Sequence, residues 1–190
     1  LKTAFHRFAW GILLVLLDFR IGVFDILPDV AGYAFMWSAI ARLGTMRESY
    51  LGARPYAVIL TLLAVPELFA ANGAGIFAPS GDVSIVPIAF AAVQTLLTML
   101  LMHRFFTETA RHASDSGAAD FAASTRFRRN LFLAVSAVSL LFLPFTINIG
   151  PSGAAAGSIV AGVAGIIAML LLFGACRSAP SHVSGADRDS

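Results

Sequence analysis

LFLAVSAVSLLFLPFTINI at residues 131–149 and GAAAGSIVAGVAGIIAMLLLF at 153–173 carry no charge, and Gly150-Pro151-Ser152 between them is turn chemistry. At 1.5 Å per residue each run is long enough to cross an apolar layer of ~30 Å. The same pattern recurs upstream. Residues 55–78 are apolar apart from Glu67 and Asn72, and 83–102 apart from Gln94 and hydroxyls, with Pro79-Ser80-Gly81-Asp82 as the link. Four spanning helices follow from these runs.

The N-terminal region admits two readings. Residues 8–17 and 30–41 are each too short to cross alone. Between them lies an apolar ribbon, DFRIGVFDILPD at 18–29, with four charges. Extending both helices into it gives spans over 8–24 and 27–41, with Asp25 capping the second and Pro28 in its first turn. The other reading is a re-entrant hairpin that does not cross. Of the 13 Lys and Arg residues, all but Arg20 fall in segments assigned to one side when six spans are counted. That asymmetry predicts cytoplasmic N- and C-termini. Lys2, His6 and Arg7 before the apolar run 8–17, with no A-x-A-like site after it, predict an uncleaved signal anchor. The expected fold is an all-α membrane bundle of six transmembrane helices, the first two short. Its soluble parts are an inner loop over 103–130 and a disordered polar tail over 178–190. Arg126, Arg128 and Arg129 in that loop read as a topology anchor or as a contact for anionic headgroups.

Composition agrees. The chain is 58% hydrophobic and 13% charged, against roughly 45–50% and ~25% for a soluble domain. A net charge of +2 is too small for a nucleic-acid face. One cysteine, Cys176, forms no internal disulfide or thiolate metal cluster. There is no P-loop, dinucleotide fingerprint, H-E-x-x-H or C-x-x-C, so no cofactor and no metal is expected.

Glu67 is the most informative single residue. An acid at mid-span costs at least ~2.5–3.5 kcal/mol unless neutralised or paired. It reads either as a proton or cation site or as a protonated acid bonded to a neighbouring helix. Gln94, at the same depth in an antiparallel hairpin, is its expected partner, and Thr98 extends that face by one turn. Asp18, Arg20, Asp25 and Asp29 form an outer-face acidic cluster, with Tyr33 one turn beyond Asp29. The carboxylates suit a hard cation, but the spacing matches no metal motif, and helix capping with a local ion pair is the favoured reading. Gly153, Gly157, Ala161 and Gly165 form a small-residue stripe for tight helix contact, within the bundle or against another subunit. Trp10, Tyr50 and Tyr56 fit an interfacial aromatic belt, and Trp37 a deeper packed position.

The stretch Asp25-Ile26-Leu27-Pro28-Asp29-Val30-Ala31-Gly32-Tyr33 resembles a D-I-L-P-D-x-x-G-Y segment of small, uncharacterised multi-span membrane proteins of Gram-positive bacteria. Leu-Asp-Phe-Arg at 17–20 and Ala41-Arg42-Leu43 belong to the likeness, which covers about 30 residues. It implies a bacterial plasma-membrane protein and brings no activity. Gly150-Pro151-Ser152-Gly153 is similar to the G-x-S-G motif of rhomboid proteases, but no later span carries the histidine a serine nucleophile needs. The first functional expectation is therefore a non-enzymatic accessory or assembly component of a membrane system. Its partners would be the lipid bilayer and a membrane protein or second copy bound through the last helix. The alternatives are a small carrier or channel for a proton-coupled or cationic solute centred on Glu67, and an intramembrane enzyme.

Overall fold

The computed structural model describes residues 1–16, 20–21, 24–25, 29–70, 85–142, 144 and 151–183, with backbone alone at 20–21, 24–25, 67–70, 85–88, 151–156 and 158. These residues form six α-helices: α1 (Lys2–Leu16), α2 (Asp29–Gly44), α3 (Arg54–Ala70), α4 (Ile85–Asp115), α5 (Ala119–Phe142) and α6 (Pro151–Val183). A 3-10 helix (Glu48–Ala53) precedes α3. Between α1 and α2, β1 (Arg20–Ile21) pairs antiparallel with β2 (Phe24–Asp25), Arg20 opposite Asp25 and Ile21 opposite Phe24. Apart from this pair the described chain is all-helical. Among the described residues two helices are long and apolar enough to cross a membrane: α4 over Ala89–Asp115 and α6 over Ile159–Val183, with mean hydropathies of 1.4 and 2.6. Only 22% of the apolar window in α6 is buried, so most of that helix face is uncovered in the described fold.

Each helix packs against the next in the chain, and α6 packs against α1, closing a ring. α5 is peripheral: α4 touches α6 directly, and α5 contributes only Phe132 to the buried set of the main core. The axis is filled near the α4–α5 link by an aromatic layer, Phe5 and Phe8 of α1, Tyr50 of the 3-10 helix, and Phe105 and Phe106 of α4, all buried. Phe8 stacks on Phe105 with centroids 3.5 Å apart and planes at 3°. Phe5 and Phe106 meet these rings edge-on, at centroid distances of 6.0 and 6.1 Å. Such pairs contribute ~0.5–1.5 kcal/mol each beyond the burial of their area.

α1 and α2 approach most closely at Gly11 and Gly32. A Cβ on Gly11 would lie 2.7 Å from the Gly32 carbonyl oxygen, and one on Gly32 would lie 3.0 Å from that of Gly11. These are backbone atoms, so the only relief is to separate the helices.

Several sequence expectations change. The first span does not continue through residue 24, because α1 ends at Leu16 and the backbone at 20–21 and 24–25 forms the strand pair. Ile21 and Phe24 favour extended backbone, and Gly22 disfavours helix. α1 and α2, of 15 and 16 residues, reach only about 22–24 Å. Residues 103–130 are not a loop: α4 runs to Asp115 and α5 begins at Ala119. The turn between them is a Schellman motif, with Ala118 N–H donating to Ala113 C=O (2.9 Å), Gly117 N–H to Ser114 C=O (3.1 Å), and Gly117 at φ 79°. The tail is helical as far as Val183. Ala179 and Val183, one turn apart, are buried, and Val183 joins Ala110, Ala113 and Ala122 of the hairpin in a second small core. Phe121 stacks on His182 at 4.4 Å across the same joint. Residues 184–190 lie outside the described residues. Tyr50 leaves the interfacial belt for the core, at 1% exposure, whereas Trp10 is exposed and Trp37 packs against the core.

Replacing Gly32 with Ala forces α1 and α2 apart. Thermal unfolding in mild detergent should report a loss of ~1–3 kcal/mol, the range for overpacking. The same change at Gly162 of α6, where a Cβ meets nothing within 4 Å, should show no such loss. Burial pushes the Tyr50 hydroxyl well above its ordinary value of about 10, outweighing the nearby Thr109 hydroxyl and Arg47 guanidinium. The folded state therefore holds this proton after the unfolded chain has released it. The contribution is intact below about pH 10 and falls as pH rises further. Melts between pH 9 and 11.5 should show an alkaline loss that Tyr50→Phe flattens.

Candidate functional site

Beyond the aromatic layer the core continues through Ile12, Met36, Leu60, Leu101 and Leu172, all buried. A crevice of about 330 Å³ opens between α1, α2, α4, α5 and α6, and Tyr33, Gln94, Thr95, Thr98 and Ser136 supply its polar lining. Val15, Phe132 and Met169 provide apolar wall, and Gly165 contributes bare backbone from α6. The volume suits a small ligand or several waters, each taking ~30 Å³ of liquid.

Helical spacing builds this surface. Gln94 and Thr98 are one turn apart on α4, with Ala91 and Thr95 completing the strip. Tyr33 follows Gly32, whose contact with Gly11 holds α2 against α1 beside Val15. The Thr98 hydroxyl donates to the Gln94 carbonyl (2.9 Å), so its lone pair receives the Tyr33 hydroxyl proton across 3.3 Å. Both residues are buried, at 2% and 9% exposure. This bond ties α2 to α4 across the ring. None of the described lining side chains is ionised at neutral pH.

Gln94 and Thr98 thus stand together at the crevice as two of the residues singled out by sequence. Glu67 lies within α3, but its side chain, and with it the expected pairing to Gln94, is outside the described residues. So is Asp18, as are the side chains of Arg20 and Asp25, whose backbones face each other in the strand pair. Asp29 occupies the first turn of α2, where a carboxylate suits the positive end of the helix dipole. The small-residue stripe of α6 divides. A Cβ on Gly157 would meet the Phe142 ring of α5 at 2.3 Å, and Ala161 lines an apolar groove between the same two helices. Gly165 faces open space at the crevice, and beyond the backbone of α6 Gly153 is outside the described residues. Sequence reasoning missed Ser136 as a site residue and treated Tyr33 only as a neighbour of Asp29. Ser136 belongs to none of the earlier motifs, and the antiparallel packing of α5 on α4 brings it to the crevice.

Removing one side of the α2–α4 bond tests the geometry. Thr98→Val should cost ~1 kcal/mol in detergent melts by depriving the Tyr33 hydroxyl of this acceptor. A cycle with Tyr33→Phe should return a coupling of about the same size. Additive single losses would mean that the two hydroxyls do not interact. Comparison of this chain with protein-family models, with curated proteins and with solved structures finds no match to any of them.

Proposed function

We propose that the chain is a multi-pass plasma-membrane protein with cytoplasmic termini and that its central crevice receives a small uncharged solute rich in hydrogen-bonding groups. The membrane reading is supported by the exterior. Trp10, Phe35, Leu62, Leu96, Leu141 and Val160 are exposed, one on each helix in chain order, which is an apolar belt around the whole ring. The charge asymmetry of the sequence supplies the orientation. Two crossings by α1 and α2 require tilt-free short helices and local thinning of the bilayer.

The crevice carries the functional reading. Among the described side chains, five neutral polar groups line the crevice, and that arrangement stabilises a neutral partner more than an ion. The aromatic layer beneath it supports a carrier-like or binding role over an open pore. Reconstituted vesicles in an osmotic shrinking and reswelling assay should admit small polyols or amides faster than protein-free vesicles. Gln94→Leu with Ser136→Leu should abolish the difference. Equal rates with and without protein would remove the solute reading. Single cysteines at Asp25, Asp82 and Ser152 in a Cys176→Ala background test the crossings. External labelling at 82 and 152 but not at 25 would replace the first two spans with a re-entrant hairpin.

The accessory role is the second reading, favoured by α6. Its exposed Ile159, Val160, Val163, Ile166, Ile167 and Leu170 make a continuous apolar stripe, next to the apolar groove of about 580 Å³ between α5 and α6. A partner helix would bury that stripe.

A further inference from the structure

The basic residues at the α4–α5 end are not spread evenly. His103 and Arg104 stand on α4, Arg126 and Arg129 on α5, and the short link at 116–118 brings the two helices antiparallel. Arg129 Nη1 donates to Thr107 Oγ1 (2.8 Å), while its Nε and Nη2 donate to Asn130 Oδ1 (3.1 and 2.8 Å). The Thr107 hydroxyl in turn donates to the His103 carbonyl (2.5 Å). Arg129 is thereby fixed over the His103 turn by neutral acceptors, which orient its charge without cancelling it. The charges of Arg129 and Arg104 act on His103, and that of Arg126 acts on Arg129. Arg104 and Arg126 are exposed and form no hydrogen bond or ion pair among the described residues. The nearest acid along α4, Glu108, is bound to Arg111 (3.2 Å). Three guanidinium groups held together beside the His103 ring, against their mutual repulsion, call for an anion.

The level of the cluster says which anion. On α4 the apolar run ends at Met102, immediately before His103, and on α5 the apolar run begins at Leu131, immediately after the cluster. In a membrane-spanning bundle this is the depth of headgroup phosphates. We propose that His103, Arg104, Arg126 and Arg129 bind the phosphate of an anionic phospholipid in the adjoining leaflet. Arg129 is the oriented donor, and Arg104 and Arg126 are the mobile arms that close on the headgroup. Guanidinium groups suit phosphate oxygens through paired N–H donors.

The site rests on the membrane reading of the bundle, which carbonate extraction of the membrane fraction tests separately. The direct experiment is native mass spectrometry of the full chain in neutral detergent, titrated with phosphatidylglycerol or phosphatidylcholine. Phosphatidylglycerol should be retained at lower concentration. Arg104→Gln with Arg126→Gln should weaken its retention about fivefold for each charge removed and leave phosphatidylcholine unchanged. Arg104→Lys with Arg126→Lys, which keeps the charge, should retain most of the preference. Arg177→Gln on α6, which removes one charge outside the cluster, should behave as the unaltered protein. Equal phosphatidylglycerol retention by the double Gln variant, or an equal loss in Arg177→Gln, would overturn the site. Displacement of the lipid by an equal concentration of inorganic phosphate would overturn the lipid assignment.

Discussion

A closed ring of helices must do something with its axis. Here α1 and α4 face each other across it, and Phe8 lying flat on Phe105 holds them at a fixed separation. The surrounding edge-on rings and Tyr50 brace that stack from the 3-10 helix, so one end of the ring is solid. Further along, Ile12, Met36, Leu60, Leu101 and Leu172 continue the same core.

Two kinds of contact then set the shape of the crevice. The Gly11–Gly32 approach draws α1 and α2 together and turns Tyr33 inward, while the Tyr33–Thr98 bond ties that pair to α4. Polar joints elsewhere concentrate at the α4–α5 end. Arg47 pairs with Asp115, Arg128 donates to the Leu171 carbonyl, and the Ser116 hydroxyl reaches the Val183 carbonyl. Among the described side chains, neutral groups thus line the crevice and most formal charges lie at the α4–α5 end. This division follows from the cost of placing ions in a medium of low dielectric.

What sequence could show depended on range. The uncharged runs now seen in α5 and α6 were legible because a helix needs nothing beyond its own residues to read as apolar. Gln94 and Thr98 were legible as a face because they are one turn apart. The Gly11–Gly32 contact was not, since two glycines on different helices make no periodic pattern. The segment 103–130 read as a loop because its residues are polar. Yet Glu108 and Arg111 at i, i+3 and the runs of alanine are what an exposed helix uses. Residues 178–183 misled for the same reason: Ser178 and Ser181 hide the burial of Ala179 and Val183. Tyr50 read as interfacial because the 3-10 helix that turns it into the core leaves no sequence signature.

The ring closes through α6 returning to α1. Ribosomal synthesis delivers α1 first and α6 last, so for most of its production the chain has an N-terminal helix with one flank uncovered. That flank stays uncovered until α6, more than 130 residues further on, has begun to be made. The small core around Val183 forms later still, at the last described residue of the final helix. A protein of this topology cannot mature domain by domain from its N-terminus. The ring closes only once α6 has been made, and a chain interrupted before it would display an uncovered face of α1.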